Sequence, residues 1–580
     1  MVSLEELLER VQQAETETDR QWVLLELQIA QMPANLASML WAAAIPHFFD
    51  DKVLVALRPE LASEAEALYE DLKKLTFVED FPGHGSNIHE LTRDVLLGRL
   101  WHSHRDDFLN LSRRAANFFF DQGQSLEEKV EFCYHEILDT HISGDDRLLD
   151  QVVDWWNHYE NDQIQSVIQL FLEHQNHGRL TKLGQGFLLH LKGLLKSYLG
   201  QYREAEELLG EAQAIYQLLD FENFRYQTTL LRDLAVSQLH QGHYQEAEPV
   251  CEEVLELSQE KFGADHLDTS ISLNNLATLY EFQGRYREAE PLYQQALKIQ
   301  RSQLGPDRPD TATGLNNLAA LYGSQGRYRE AEPLYQQALK IRRSQLGPDH
   351  PDIAASLSNL AGLYTSQGRY GEAEPLYQQA LETRRSQLGP NHPDIAASLN
   401  NLAELYRAQG RYGEAEPLYQ QALEIQRSQL GPDHPHTATS LNNLALLYAS
   451  QGRYGEAEPL YQQALETLES KLGEDHPHTI TCLKNLAKTC RKQEEYTKAI
   501  SLLERWKALE KSRQNTRNQE FAIQVRTLGK LYEKEQEFQD AARNYEEALS
   551  ILNYVLGPQH PQTLILKGEI KRLKKQMKKT

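Results

Sequence analysis

The sequence predicts an all-α protein, built mainly as a repeat array of helical hairpins and preceded by a small module that combines helices with two short strands. Three observations predict this. One segment recurs every 42 residues from about Gly200 onward. Its apolar positions have helical spacing. The chain has 580 residues, too many for one ordinary hydrophobic core. Stacked hairpins satisfy all three, because they bury many small cores in succession.

The repeat is visible by eye. QGRYREAEPLYQQAL begins at Gln283 and Gln325, and QGRYGEAEPLYQQAL begins at Gln367, Gln409 and Gln451, each copy 42 residues after the last. The same register reaches back to Gln241 and Gly200 and forward to Glu494 and Gln536. The sequence therefore predicts about nine hairpins of 42 residues.

Each unit has the pattern of two antiparallel helices. Its two apolar stripes have spacings of i, i+3, i+4 and i+7, and in one unit they are Leu273, Leu276, Ala277 and Tyr280, then Ala289, Leu292, Tyr293 and Ala296. Between them Gly284 can take the left-handed backbone that ends a helix, and Pro309 suits the first turn of the next. A lone hairpin cannot bury its apolar face, so neighbouring units must stack.

The repeat also carries a family resemblance. LNNLATLYEFQGRYREAEPLYQQALKIQRSQLG, followed in later copies by PDHPD, resembles the 42-residue tetratricopeptide repeats of kinesin light chains and their bacterial relatives, from about Gly200 to His560. The resemblance implies a right-handed superhelix with a concave groove that binds protein. We expect this array at 197–560 and a capping helix with a basic tail at 561–580. The first 180 or so residues show no sustained heptads, which argues against a motor subunit.

One asparagine column is the main candidate for ligand contact. It consists of Asn275, Asn317, Asn359, Asn401, Asn443 and Asn485. Amide side chains can bind the backbone of an extended peptide, and the resemblance implies that this position faces the groove. The alternatives are that the column bonds the neighbouring repeat or that the duplication is recent. A second column, starting at Asn274, is interrupted twice and is the weaker candidate.

Varied positions beside this column could give each unit its own preference. We single out Thr278 and Phe282, the latter as an aromatic contact, and Glu404 and Arg407 as opposite charges. Unconstrained drift explains them equally well. Histidines also recur in the loops, as His350, His392, His434 and His476. They lie a full repeat apart, too far to share an ion, so we expect them to hold the turns between repeats.

The first part of the chain is less regular. We expect a helical, winged-helix-like module at 1–103, with residues 1–30 as one amphipathic helix, and divergent helical hairpins at 104–196. ALYEDLKKLTFVEDFPGHGSNIHELTRDVLLGRLW predicts helix, strand, Gly-rich turn, strand and helix. It resembles the winged-helix region of NB-ARC and related STAND signalling ATPases, but no GxxxxGK[ST] loop occurs anywhere in the sequence.

Composition narrows the function. The net charge of −24 argues against nucleic acid and anionic membranes. Four scattered cysteines predict neither disulfides nor zinc, and a reducing, cytoplasmic setting fits best. No nucleophile motif, phosphate loop or metal-ligand cluster is apparent, so we expect no enzyme, no catalytic, cofactor or metal site and no small-molecule substrate.

The function predicted from the sequence is that of a protein–protein interaction scaffold, in signalling or complex assembly, which binds a peptide or helix of a partner in its concave groove. The alternative is a DNA-binding regulator that uses the winged-helix module, with the repeats as its sensor. About twenty acidic against about nine basic residues in the first 110 disfavour this alternative, because they repel phosphate.

Overall fold

The computed structural model of the chain describes residues 4–14, 16–123, 125–138, 146–157, 161–219, 223–346, 350–388, 391–512 and 516–577. The chain forms two compact units. We call Met1–Leu195 with Glu207–Leu230 the N-terminal unit, and Lys196–Glu206 with Leu231–Thr580 the array unit. Every described helix is too short or too polar to cross a lipid bilayer.

The first part of the chain contains eleven described helices and one β-hairpin. They are α1 Leu4–Gln13, α2 Glu17–Gln31, α3 Ala34–Ala43, α4 Asp51–Leu57, α5 Ala65–Leu72, β1 Val78–Phe81, β2 Gly85–Ile88, α6 Glu90–Ser103, α7 Arg105–Gln122, α8 Leu126–Glu136, α9 Arg147–Asn157, α10 Asn161–Asn176 and α11 Lys182–Tyr198. A 3-10 turn spans Pro59–Leu61.

The expectation of one helix over residues 1–30 is wrong. The chain forms α1 and α2 there, because Thr16 caps the start of α2: its Oγ1 accepts a hydrogen bond from the backbone N–H of Asp19 at 3.1 Å. Threonine is a favoured residue at a helix N-cap. The order α5, β1, turn, β2, α6 is the one predicted. The division into modules at 1–103 and 104–196 stays a prediction.

Ionisable side chains are buried in the N-terminal unit. His47 Nδ1 lies 2.5 Å from Glu131 Oε1. The hydroxyl of Tyr134 donates a hydrogen bond to Glu173 at 2.8 Å. Arg93 donates from Nη2 to the carbonyl oxygen of Ile45 at 3.0 Å. Burial and the nearby Arg93 disfavour a charged His47, but Glu131 and Glu173 outweigh both and raise the pKa of the imidazole above its usual value.

The second part of the chain is a succession of helical hairpins, as predicted. The helices are α12 Tyr202–Leu218, α13 Phe224–Gln241, α14 Tyr244–Phe262, α15 Leu267–Phe282, α16 Tyr286–Gln303, α17 Pro309–Ser324, α18 Tyr328–Leu346, α19 Pro351–Ser366, α20 Tyr370–Leu388, α21 Pro393–Ala408, α22 Tyr412–Gln429, α23 Pro435–Ser450, α24 Tyr454–Leu472, α25 Pro477–Lys492, α26 Tyr496–Ser512, α27 Gln519–Lys534, α28 Phe538–Val555 and α29 Pro561–Met577.

The turn inside each hairpin follows from a left-handed residue. Gly284 has φ +74°, and Arg285 N–H donates to the carbonyl oxygen of Tyr280 at 2.8 Å, which closes the end of α15. In the last two hairpins, Glu494 and Gln536 take this position with φ +66° and +63°. The turn geometry therefore persists where the glycine does not, because the packing of both helices fixes it.

An arginine in the turn between the two helices of a hairpin joins successive units. The guanidinium of Arg369 lies 4.0 Å from the ring centre of Tyr364. It donates from Nη1 to Glu332 in the preceding unit at 2.8 Å and from Nε to Glu372 at 2.7 Å. Planar guanidinium groups suit such stacked, bidentate contacts. The equivalent residues Arg285, Arg327, Arg411 and Arg453 repeat the arrangement.

The last helix covers the end of the array. α29 buries Thr563, Leu566, Ile570 and Leu573, while Lys574 reaches Glu546 at 2.8 Å on the exposed side. Arg526 in α27 donates two hydrogen bonds to Glu569 in α29, each 2.7 Å long. The predicted capping helix is therefore present, although residues 578–580 of its basic tail lie outside the described residues.

Candidate functional site

The candidate ligand residues lie on the first helices of six successive hairpins. We call Asn275, Asn317, Asn359, Asn401, Asn443 and Asn485 the asparagine ladder. Asn359 and Asn401 are exposed and the other four are half-buried. Asn485 Nδ2 donates to Asn442 Oδ1 at 3.1 Å. For Asn275, Asn317, Asn359 and Asn401, no side-chain hydrogen bond is formed within the part of the chain that the structure describes.

The adjacent column makes contacts between units instead. Asn316 Nδ2 donates to Ser356 Oγ at 3.2 Å, and Asn400 Nδ2 donates to Ser440 Oγ at 2.7 Å. Both serines lie one unit further along and are 0% exposed. In the pair Asn400 and Asn401, the first is thus used in stacking and the second is exposed, whereas Asn485 of the ladder itself bonds the preceding unit.

Three predicted site residues meet at one cavity of about 440 Å³ in the array unit: Phe282, Asn401 and Asn443. The other lining residues are Tyr202, Leu239, His240, Tyr244, Ala397, Asn400, Gln426, Pro435, His436, Thr439, Leu472, His476, Pro477 and His478. First helices as far apart in sequence as α13 and α25 line this space, so they face a common interior. The size is within the range of ligand pockets.

The array closes on itself beside this cavity. His434 Nε2 lies 3.3 Å from the carbonyl oxygen of Tyr198. A Cβ added to Gly200 would lie 2.7 Å from Pro435 Cδ, so a side chain there would collide with the loop. His434 is 3% exposed, and burial, aided by the nearby His436, lowers its pKa to about 4. The imidazole is therefore neutral at pH 7.

Of the four varied positions singled out in the sequence, Thr278, Glu404 and Arg407 are engaged within the chain. Thr278 Oγ1 lies 2.8 Å from the hydroxyl of Tyr293. Arg407 donates to both carboxylate oxygens of Glu404, at 2.7 and 2.5 Å, so these opposite charges form one ion pair. Phe282 is 57% exposed, with its ring centre 6.3 Å from that of Tyr244. Of these four residues, only Phe282 presents a large free apolar surface.

Sequence reasoning missed the cavity residues contributed by the first turns of α23 and α25 and by the start of the array. His436 and His478 were detectable, since the equivalent position in the four preceding units is aspartate, as at Asp352 and Asp394. Tyr202 and Tyr244 gave no such signal. They belong to the ordinary repeat pattern, and they reach the cavity only because the array curves through several units.

The loop histidines hold turns, as expected. In each case Nδ1 of the histidine at the helix N-cap accepts a hydrogen bond from the backbone N–H two residues later. The donors and acceptors are Asp352 and His350 at 3.2 Å, Asp394 and His392 at 3.1 Å, His436 and His434 at 3.0 Å, and His478 and His476 at 3.2 Å. An imidazole can accept in this way only when that nitrogen is unprotonated.

One group of possible metal ligands exists among the described residues. Glu458, Cys490 and Glu495 each place one ligand atom within 4.8 Å of the others. Lys498 forms an ion pair with Glu458 and lies 3.8 Å from Glu495. An ammonium group therefore already balances these carboxylates.

Comparison with known proteins agrees with the hairpin array. The family model for the tetratricopeptide repeat matches residues 226–302, 282–344, 310–386, 352–428, 394–470 and 449–508. Successive matches overlap, as expected for a continuous array. A search of curated proteins gave no match to the chain.

Several solved structures are similar to parts of the chain. A protein from Podosopora anserina, described as a kinesin light chain with nearly identical TPR-like repeats, is 31% identical over 35% of this chain and 97% of its own, with a TM-score of 0.31. BtubC (BKLC) from P. vanneervenii is 26% identical over 41% of this chain and 94% of its own, with a TM-score of 0.33.

A third structure is similar over more of the chain. It is a signal transduction ATPase with numerous domains (STAND) with a tetratricopeptide repeat sensor, from Pyrococcus horikoshii. It is 16% identical over 80% of this chain and 67% of its own, with a TM-score of 0.48. The family-model matches, together with the 42-residue register and the stacked hairpins, place this chain in the tetratricopeptide repeat family.

Proposed function

We propose that this protein is an interaction scaffold whose array unit binds a peptide or helix of a partner protein along the asparagine ladder. The observation that carries the proposal is the contrast between the two columns. Asn400 is used in stacking against Ser440, whereas Asn401 beside it is exposed and offers its amide to a ligand.

The chemistry of an amide suits this role. A ladder side chain without a partner in the chain, such as Asn401, has two donors and one acceptor, which match the alternating carbonyl and N–H groups of a peptide backbone. Backbone contacts of this kind give affinity with little dependence on ligand sequence, and side-chain pockets add specificity. The cavity lined by Asn401 and Asn443 is suited to be such a pocket, since its lining also includes the aromatic residues Tyr202, Tyr244 and Phe282.

The test uses a peptide selected from a phage-displayed random library against the full chain. Its affinity is measured by fluorescence anisotropy for the wild type and for the triple variant Asn359→Ala, Asn401→Ala, Asn443→Ala. We expect about tenfold or greater weakening, with helical content and melting temperature nearly unchanged. Equal affinity of the two proteins would refute the proposal, and unfolding of the variant would assign the ladder to stacking.

The matched control is Asn317→Ala with Asn275→Ala. Both residues belong to the ladder but not to the cavity lining. A peptide bound near the cavity should lose less affinity with this control than with the triple variant. A peptide that is equally sensitive to both variants would extend the binding surface over the whole ladder.

A further inference from the structure

The N-terminal unit has a cavity of its own, of about 730 Å³. Its lining includes Arg93 and Asp94 of α6, Glu173 of α10, His47, and Phe81 of β1. We call it the N-terminal cavity. A space of this size can hold a small molecule. The function proposed for the array unit does not involve it.

Arg93 presents a buried guanidinium group to this cavity. The residue is 5% exposed. Its Nε donates to the carbonyl oxygen of Pro46 at 3.2 Å, and its Nη2 donates to the hydroxyl of Tyr134 at 3.2 Å. Nη1 makes no hydrogen bond within the described part of the chain, and Oε1 of Glu173 lies 3.6 Å from it, beyond hydrogen-bonding distance. One donor of a buried cation is therefore left for an acceptor in the cavity.

A second buried arginine adds to the positive charge. Arg179 is 2% exposed, and none of its three side-chain nitrogens has a hydrogen-bond partner among the described residues. Its Nη1 lies 3.7 Å from Oε1 of Glu173, the same oxygen that accepts a hydrogen bond from Tyr134 at 2.8 Å. One carboxylate oxygen thus faces two guanidinium groups and hydrogen-bonds neither.

The buried side of the cavity has one positive charge in excess. Its three cations are Arg93, Arg179 and His47, the last in the protonated form that Glu131 and Glu173 stabilise. Its two carboxylates are Glu131 and Glu173. A buried charge without a partner is costly, so a ligand that brings a negative charge to this side would be stabilised there.

The opposite imbalance occurs on the neighbouring surface of α6. Asp94 is half-buried and Glu90, one turn earlier, is exposed, and both line the cavity. Neither forms an ion pair or a side-chain hydrogen bond with any residue that the structure describes. Burial and the nearby Glu173 raise the pKa of Asp94 above its usual value, so its charge is not fully compensated by the cations around it. The helix dipole favours an acid such as Glu90 in the first turn, but Asp94 lies beyond that turn.

We propose that the N-terminal cavity binds a small zwitterion, an amino acid or a short peptide with free ends. Its carboxylate accepts a hydrogen bond from Nη1 of Arg93, and its ammonium group lies against Asp94 and Glu90. Hydrogen bonds between guanidinium and carboxylate groups are among the strong ones in proteins, and an ammonium group has three donors for the two acids. Phe81 offers an apolar contact to a ligand side chain. The site is separate from the asparagine ladder and does not depend on the proposed groove function.

Ligands with a single charge fit this cavity less well. A simple anion would reach Arg93 but would be repelled by Asp94 and Glu90. A simple amine would pair with these acids but would leave the buried donor of Arg93 unused. Only a ligand with both charges complements both sides.

The experiment first measures the melting temperature of the full chain with millimolar amounts of each of the twenty amino acids, and of each dipeptide that they form with glycine. A ligand that binds only the folded state raises the melting temperature. Isothermal titration calorimetry then measures the affinity of each ligand that does so. Tighter binding of free amino acids or of dipeptides identifies which of the two sources of this chemistry the site prefers, and either result supports the proposal. A panel without any binder would overturn it.

Two blocked forms of each binding ligand test the charges without any substitution in the protein. Acetylation removes the ammonium charge, and conversion to the carboxamide removes the carboxylate. We expect each blocked form to bind about tenfold or more weakly than the parent, because each loses a hydrogen bond between charged groups. A blocked form that binds as tightly as the parent would overturn the proposal.

Two single variants remove one carboxylate charge each. Asp94→Asn changes the cavity, whereas the control Asp106→Asn changes an exposed residue in the first turn of α7 that does not line it. We expect Asp94→Asn to weaken the parent ligand about tenfold and to leave the acetylated form unchanged, since only the parent has an ammonium group. The control should alter neither affinity. Equal weakening of both ligand forms by Asp94→Asn, or no weakening of the parent, would overturn the place assigned to the ammonium group.

Discussion

Asn400 donates a 2.7 Å hydrogen bond to Ser440 Oγ in the next hairpin. This contact separates stacking from recognition on a single helix turn. Asn401 follows Asn400 directly in the sequence, yet it is rotated by 100° around the helix and is exposed. Two adjacent asparagines therefore have different neighbours, and substitutions at the two positions should have different consequences.

Asn400→Ala should destabilise the array, and Asn401→Ala should not. Removing the amide of Asn400 deprives the buried Ser440 hydroxyl of its donor, which costs about 1 kcal/mol in the free energy of unfolding. A substitution at an exposed position such as Asn401 usually changes the free energy of unfolding by less than about 0.5 kcal/mol. Urea unfolding followed by circular dichroism measures both. The interpretation is wrong if Asn401→Ala costs as much stability as Asn400→Ala.

Much of the fold could be predicted from local pattern. The 42-residue period, the apolar stripes and Gly284 follow from residues close together in the sequence, and each has the expected place. The contact of His434 with Tyr198 could not be predicted in this way, because it joins residues 236 positions apart. It depends on the small rotation between units, summed over several hairpins, and no single motif encodes that sum.

The candidate site shows the same limit. The asparagine ladder was visible as a column in the sequence, but the pattern alone could not decide whether Asn274 or Asn275 faces a neighbouring hairpin. Glu404 and Arg407 were singled out as opposite charges available to a ligand, and their ion pair became apparent only with side-chain geometry. Residues that contact each other across one turn of a helix are hard to assign when both partners are polar.

Acid should weaken the closure of the array through His434. Burial holds its pKa at about 4, below the ordinary value of about 6.5, so the folded state favours the neutral form. The neutral imidazole therefore stabilises the folded state fully above about pH 6.5, and this stabilisation is lost as the pH falls toward 4. The loss is at most about 3 kcal/mol in the free energy of unfolding.

His434→Asn should flatten this part of the pH dependence, because asparagine can cap the helix without titrating. Melting temperatures measured at several pH values between 7 and 4 test the prediction. His350→Asn is the control, since His350 makes the same cap with a side chain that is 41% exposed. If both variants lose stability with acid as steeply as the wild type does, His434 does not govern the acid sensitivity of the array.

Two glycines in helices of the array should respond oppositely to alanine. A Cβ on Gly529 would lie 2.7 Å from the Cδ1 and Cε1 atoms of Tyr545, so Gly529→Ala overpacks the last hairpin and should cost about 1–3 kcal/mol. Around Gly413 nothing lies within 4 Å of the added carbon, and Gly413→Ala should add up to about 1 kcal/mol through helix propensity. The melting temperatures of the two single variants, compared with that of the wild type, test both expectations. A Gly529→Ala variant that is more stable than the wild type would contradict the packing argument.

Glu131 should govern the titration of His47 in the N-terminal unit. Since Glu131 and Glu173 raise the pKa of His47, its protonated form stabilises the fold at low pH, and this contribution is lost as the pH rises through the raised pKa. Glu131→Gln keeps the shape but removes the charge, so the pKa of His47, read from its ring protons by NMR, should fall. Breaking a buried pair of this kind costs about 3–5 kcal/mol.

The control is Glu127→Gln, at an exposed position on the same helix α8, and it should leave the titration of His47 unchanged. If Glu131→Gln also leaves it unchanged, the carboxylate does not hold the proton on His47.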